Sequence, residues 1–549
     1  MLSCILRFRR VVATLSREDL SCLYFVSRDV RRSAPPALKV VPWSCVQAVP
    51  AEVPQHVMRE ATDRACEQNN VPVLEKLISV GCRLDPVSAE LAAVHGHIAC
   101  LRCLHEHGCC FDELVARAAA MGGKIDCLTF LKEAGCPFNS RVASAAASNG
   151  HLECLRVLVA QGCPVDEEAT ELAAKAGHLE CLRFLRESGC DWNHFCTQAA
   201  ASRGHLECLR YLHQQGCPRK LCATEAAARG GHYECLRFLC DTGCVVSAVT
   251  MSAAASSGDL RCVRLLRQMG VGLSQSAMWS AAGSGSVDVL RFLREEGCPW
   301  DASVVTNAAC AGSMPCLLYL YENGCPWDGN ATRFAARKGH LECLTFLVEK
   351  GCPVDQFAAH DAAREGELDC LRYIVQCLGA VDARTAGCAA QNNRMACLQY
   401  LCESDCCDFR DVAVARSAAA AGRTACLAYL HKNGCPWNEE VAKDAASYGR
   451  LECLRYLHEK GCPWDGRAAR EAASYGHLGC LRYLHENGCP WDQGTAREAA
   501  AHGNLECLRY MHERGCPMDA QVAQAARMSS NMECLRFLQS VGCSDDEGG

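Results

Sequence analysis

At 549 residues the chain is long enough for three or four ordinary domains, but a length prior fails when a chain is built of repeats, so self-similarity comes first. The net charge of -7 comes from acidic and basic residues that are interspersed, which leaves no long positive field and argues against nucleic acid as a partner. No apolar run approaches the roughly 20 residues that span a bilayer, so the composition argues against a membrane protein as well.

In chain order, the start MLSCILRFRR lacks the apolar stretch of a secretory signal, while its Arg-rich, acid-poor character also fits a mitochondrial presequence. The stretch from Leu15 to Ala34, LSREDLSCLYFVSRDVRRSA, resembles the later half of an F-box: Leu, Asp-Leu, an apolar residue, Val-Ser-Arg and a basic end. Leu15, Asp19, Leu20, Leu23, Val26, Ser27, Arg28 and Arg31 fall on that pattern, whereas its Leu-Pro start is missing. The resemblance implies docking of a Skp1-type adaptor on Leu15, Asp19, Leu20, Leu23 and Val26. The other reading of residues 1–34 is an irregular amphipathic leader, and the Pro-rich residues 35–54 read as a linker.

From residue 55 to 545 one tract recurs, Gly-His-Leu-Glu-Cys-Leu-Arg, with its glycine at Gly96, Gly123, Gly150, Gly177 and onward to Gly366 in steps of 27 residues. Asn69, Asn393 and Ser530 hold the same position at other steps, which makes eighteen repeats. In each, apolar residues such as Leu478, Cys480, Leu481 and Leu484 form one helical stripe that stops at a second glycine, here Gly488, followed by Cys489 and Pro490. Asp492, like Asp301, Asp328 and Asp465, then stands where an N-cap precedes a short Ala-rich helix, with alanines such as Ala472 and Ala473 giving a face flat enough for close packing. A helix pair this short cannot bury its own stripe, so the reading is an all-α solenoid of helix-turn-helix units stabilised by their neighbours. Around residues 376–410 the register slips: Leu378 and Asp405 replace closing glycines, and two extra residues precede Gly422, which predicts a bend or hinge. Residues 546–549 are a tail.

The second helix and its closing loop, GRLECLRYLHEKGCPWD from Gly449 and GHLGCLRYLHENGCPWD from Gly476, resemble the second helix of ankyrin repeats. The period is 27 where ankyrins have 33, and the Thr-Pro-Leu-His turn is absent, so the units resemble short ankyrin-like repeats without the β-hairpin finger. The resemblance implies a protein-binding scaffold with no cofactor, a monomer, whose first helices line a concave face. The F-box resemblance implies, as the alternative, a substrate receptor of a Skp1-Cullin-F-box ubiquitin ligase.

The remaining constellations are weighed against that frame. Cysteine stands four and thirteen residues after the repeat glycine, as Cys154 and Cys163, in sixteen repeats each, which marks these thiols as architectural core in a reducing, cytoplasmic or nuclear compartment. Equivalent thiols one helix diameter apart exceed the roughly 4.4–6.8 Å Cα separation of a disulfide. No ligand spacing recurs, which leaves a metal or redox protein as the weakest class. His97, His151, His178, His205, His232, His340 and His477 follow the glycine and read as helix-terminus contacts; copied along the array, they offer no distinctive catalytic base. Glu180 with Arg183 and Glu207 with Arg210 read as exposed ion pairs. Trp300, Trp327, Trp437, Trp464 and Trp491, with Trp192, read as wedges between repeats. The two residues before the glycine vary freely, which selects Arg337, Lys338, Tyr448, Tyr475 and His502 as partner-binding candidates.

Overall fold

In the computed structural model, described for residues 55–543 apart from 80, 219–221 and 405, every regular element is a helix. The leader, the linker and the tail, with the adaptor-contact candidates Leu15, Asp19, Leu20, Leu23 and Val26, lie outside the described residues. Helices run in pairs from Gln55–Glu67 and Val71–Ser79 to Ala520–Met528 and Met532–Ser540. Each pair is one repeat. The chain divides at Gly272 into two units, and the same construction holds within each.

Two turns define a repeat, and both follow from backbone chemistry. At the end of the helix Gly466–Ser474, His477 N donates to Ala472 O at 2.8 Å and Gly476 N to Ala473 O at 3.3 Å. At the end of Leu478–Glu486, Cys489 N donates to Leu484 O at 2.9 Å and Gly488 N to His485 O at 3.1 Å. Both are Schellman closures, which require a left-handed residue, and Gly476 and Gly488 have φ of 73° and 81°. Asn69, Asn393 and Ser530, with φ of 54°, 57° and 60°, are the described non-glycine residues in that region, so they do hold the repeat-glycine position. The first helix opens on an Asp cap: Asp492 Oδ1 accepts from Thr495 N at 3.0 Å, and Asp301, Asp328 and Asp465 cap their helices likewise.

Packing separates the two helices of a repeat. First helices bury mostly alanine, as Ala468, Ala469, Ala472 and Ala473, and successive first helices within a unit lie closely side by side because small side chains dominate that contact. Second helices bury Cys480, Leu481 and Leu484 and touch their counterparts much less.

In the slipped segment the helix Leu368–Leu378 overruns and closes at Gly379, φ 77°, the next residue able to adopt the left-handed turn. Val381 N then donates to Cys406 O at 2.8 Å, and Val381 pairs with Cys407 as an isolated parallel bridge. Phe409, within the lengthened connection, is buried. The first helices Gln356–Glu365, Ala383–Gln391 and Val412–Ala420 still pack in succession.

Candidate functional site

The repeat junction is built by residues that look backwards along the chain. His477 Nε2 lies 3.0 Å from Ser447 O, a carbonyl at the end of the preceding first helix, and His97, His151, His232 and His340 make the same contact 30 residues back at 3.1, 3.0, 3.1 and 3.2 Å. A carbonyl only accepts, so Nε2 carries the proton. Where histidine is replaced the contact survives: Arg394 and Arg450 donate from Nε, and Asn504 and Asn531 from Nδ2. Apart from His97, whose predecessor is Asn69, each of these side chains lies against the previous repeat glycine, and a Cβ on Gly177 would stand 2.4 Å from His205 Nδ1. The histidines are therefore helix-terminus contacts, as expected, but of the neighbouring repeat.

The cysteine after the closing glycine is a second lock. Cys489 Sγ donates to Asp465 O at 3.3 Å, Cys462 to Asn438 O at 3.5 Å and Cys190 to Asp166 O at 3.1 Å. In each of these the acceptor is the N-cap residue of the first helix of the same repeat, so the thiol ties the end of a helix pair to its own beginning. These thiols are buried and unbridged, and burial pushes Cys489 and Cys190 up to about 11 and Cys462 to about 12. Poorly ionised thiols inside a core are inert as nucleophiles.

The second helices expose a repeated face. Arg183 pairs with Glu180 at 3.8 Å, as Arg210 does with Glu207 at 3.7 Å, and the Arg183 guanidinium also sits 5.5 Å from the ring centroid of Tyr211 in the next repeat. The same arginine-to-aromatic step joins Arg156 to Phe184, Arg455 to Tyr483 and Arg482 to Tyr510. The expected ion pairs thus share their arginine with a contact between repeats. The loop tryptophans are half-buried: Trp491 stacks on His485 at 3.9 Å and meets the edge of Tyr510 in the next repeat at 5.9 Å. Trp464 repeats this with His458 and Tyr483, which fits the wedge expectation.

The five candidate contact residues all fall at the C-terminal edge of first helices and are exposed, Tyr448 at 58% and Tyr475 at 61%. Arg337 Nε reaches Glu365 Oε1 at 3.4 Å, and His502 Nδ1 lies 3.0 Å from Glu498 O. They are spread over four repeats, with Arg337 and Lys338 in one, so they mark one edge and not one pocket. Sequence reasoning missed the residues further up the same face: the buried Asp361 shared by Arg333 at 3.1 Å and Arg364 at 3.3 Å, His360 Nε2 at 2.7 Å from Asp382 Oδ1, and the aromatic residues Trp279 and Phe334. The signal was present, since each stands among the alanines of a first helix as a larger or charged residue.

Family models described as ankyrin repeats match the chain, one of three copies at residues 115–196, 172–250 and 305–386, and one of many copies at 442–485. No curated protein sequence matches. Among solved structures, the human ASB11 ankyrin repeat domain is 22% identical, with 29% of this chain and 84% of that one covered at a TM-score of 0.25. The pentatricopeptide repeat protein PPR10 from maize is 13% identical, with 94% and 98% covered at a TM-score of 0.24.

Proposed function

Because the chain is an ankyrin-repeat protein, we propose that it is a non-catalytic scaffold that binds partner proteins along a concave surface lined by its first helices. The observation that carries this reading is the division of labour within a repeat. Within each unit first helices approach each other more closely than second helices, which supports taking the first-helix side as the inner one. On that side the edge residues change from repeat to repeat, from Arg337 and Lys338 to Tyr448, Tyr475 and His502. Exposed Tyr and Arg on a rigid frame are the side chains that carry binding energy in protein interfaces. The scaffold acts as a monomer. Its buried thiols are used as donors in the reduced state, which suits the cytosol or nucleus.

The test is affinity capture with the full chain and with a variant carrying Arg337→Ala, Lys338→Ala, Tyr448→Ala, Tyr475→Ala and His502→Ala. Captured proteins are expected to be lost while the circular dichroism stays unchanged; undiminished capture sinks the concave-edge reading.

A second reading rests on Leu15, Asp19, Leu20, Leu23 and Val26: a substrate receptor of a Skp1-Cullin-F-box ligase, with the array capturing the protein to be modified. Deletion of residues 1–45 separates the two. Loss of a Skp1-type adaptor with other captured proteins retained supports the receptor, and no adaptor on either protein removes it.

A further inference from the structure

Three consecutive first helices, Gln275–Ser284, Ala302–Cys310 and Gly329–Arg337, enclose a notch of about 340 Å³ lined by Trp279, Ser303, Thr306, Asn307, Cys310 and Phe334. That volume is at the small end of ligand pockets, roughly 300–1,000 Å³. Its walls are aromatic and come from the outer two helices, while the middle helix supplies only small residues. Trp279 is held in place by its own hydrogen bond, Nε1 to Asp301 Oδ1 at 2.9 Å, and that carboxylate also caps the middle helix at Ser303 N.

The polar groups of the floor are already engaged. Thr306 Oγ1 donates to Ala302 O at 3.2 Å and Asn307 Nδ2 to Ser303 O at 2.8 Å, so the floor offers few unmet donors and suits an apolar occupant.

Charge selects the surroundings of that occupant. The helices Gln275–Ser284 and Ala302–Cys310 carry no charged residue, and the next one ends in Arg333, Arg337 and Lys338. Arg333 is tied to the buried Asp361 and Arg337 to Glu365 at 3.4 Å, while exposed Lys338 has no counter-ion among the described residues. With Arg364 added, the surroundings hold four cations against the three carboxylates Asp301, Asp361 and Glu365.

We propose that this notch is a docking site for an acidic peptide segment of a partner protein, which inserts one aromatic side chain between Trp279 and Phe334 and places neighbouring carboxylates on Lys338 and Arg337. The proposal rests on the reading of the first helices as the recognition face and adds the chemistry of the partner. A preformed, immobile wall lowers the ordering cost of binding, and the rim charges steer an anionic segment. The carboxylates between the cations, together with the overall charge of -7, favour a peptide over a phosphate backbone.

The test is selection of random peptides displayed on phage against the full chain, followed by anisotropy titration of the recovered peptide. An aromatic residue flanked by Asp or Glu is the expected motif. Replacing that aromatic by Ala in the peptide, or filling the notch with Thr306→Trp, should weaken binding about 30-fold. The exposed Lys338→Glu, which leaves the core untouched, should weaken the acidic peptide and reduce the loss of affinity that added salt causes. Basic or non-aromatic motifs, no enrichment, or an affinity left unchanged from that of the parent chain by Thr306→Trp and by Lys338→Glu would overturn the proposal. So would a single-stranded RNA 20-mer that binds the chain and loses that binding in Lys338→Glu. Continued capture of proteins through Tyr448 and Tyr475 alongside any of these outcomes leaves the scaffold reading standing and removes only this site.

Discussion

The junction between repeats and the open edge of the first helices are made by residues a few positions apart, yet they obey opposite rules. At the junction the same contact recurs although its residue changes: His477, Arg450 and Asn504 all reach a carbonyl 30 residues back. At the edge the position recurs while the chemistry changes, as Lys338, Tyr448 and His502. Constancy of contact marks what holds the array together, and constancy of place with changing side chain marks what the array presents.

The sharpest way to break the junction is a methyl group. Gly177→Ala is expected to cost on the order of 2–3 kcal/mol, because a Cβ there both strains a backbone at φ 82° and strikes His205 at 2.4 Å. Gly189→Ala, at φ 80° with nothing within 4 Å, should cost only the strain, about 1 kcal/mol; equal losses in denaturant titrations would refute the lock.

Alkaline pH attacks the packing inside the repeats collectively. Thiols such as Cys190, Cys208 and Cys489 rise from 9.0 to about 11 on folding, so the unfolded chain loses those protons first. Stability is fully present below pH 9 and falls as pH climbs from 9 to 11; a melting temperature flat across that window contradicts buried, protonated thiols. Smaller still, His477→Ala removes one hydrogen bond and should cost about 1 kcal/mol, while His477→Asn restores most of it, as Asn504 does naturally. The smallest signal expected is kinetic. If residues 376–410 act as the hinge their register slip suggests, their amides exchange faster than those of residues 449–490, and equal protection would remove the hinge.

Much of the fold was legible because helix ends demand particular residues at fixed offsets. The two glycines, the Asp caps and even Asn393 and Ser530 announce left-handed turns without any knowledge of packing. Leu378 was read as a lost closure, whereas the helix simply runs on to Gly379, a choice that depends on where the next permissive residue falls. What the sequence could not display was the partner of a side chain in the neighbouring repeat. That His477 touches Ser447, or that Arg183 lies on Tyr211, depends on how one repeat is set against the next. The edge candidates were legible through their variability; the notch was not, because Trp279 and Phe334 are 55 positions apart and only the small helix between them creates the space.

The thiol and imidazole contacts reach back 24 and 30 residues, and neither reaches beyond the adjacent repeat. A repeat therefore carries everything its successor needs and nothing that any later one needs. Excision of 27 residues, Gly177 through Arg203 for instance, would bring Gly204 to the end of the helix Glu167–Ala176 and place Cys217 where Cys190 now reaches Asp166 O. The array has no preferred length: it lengthens or shortens by whole repeats without rebuilding a core, and each such change alters only the succession of side chains along its edge.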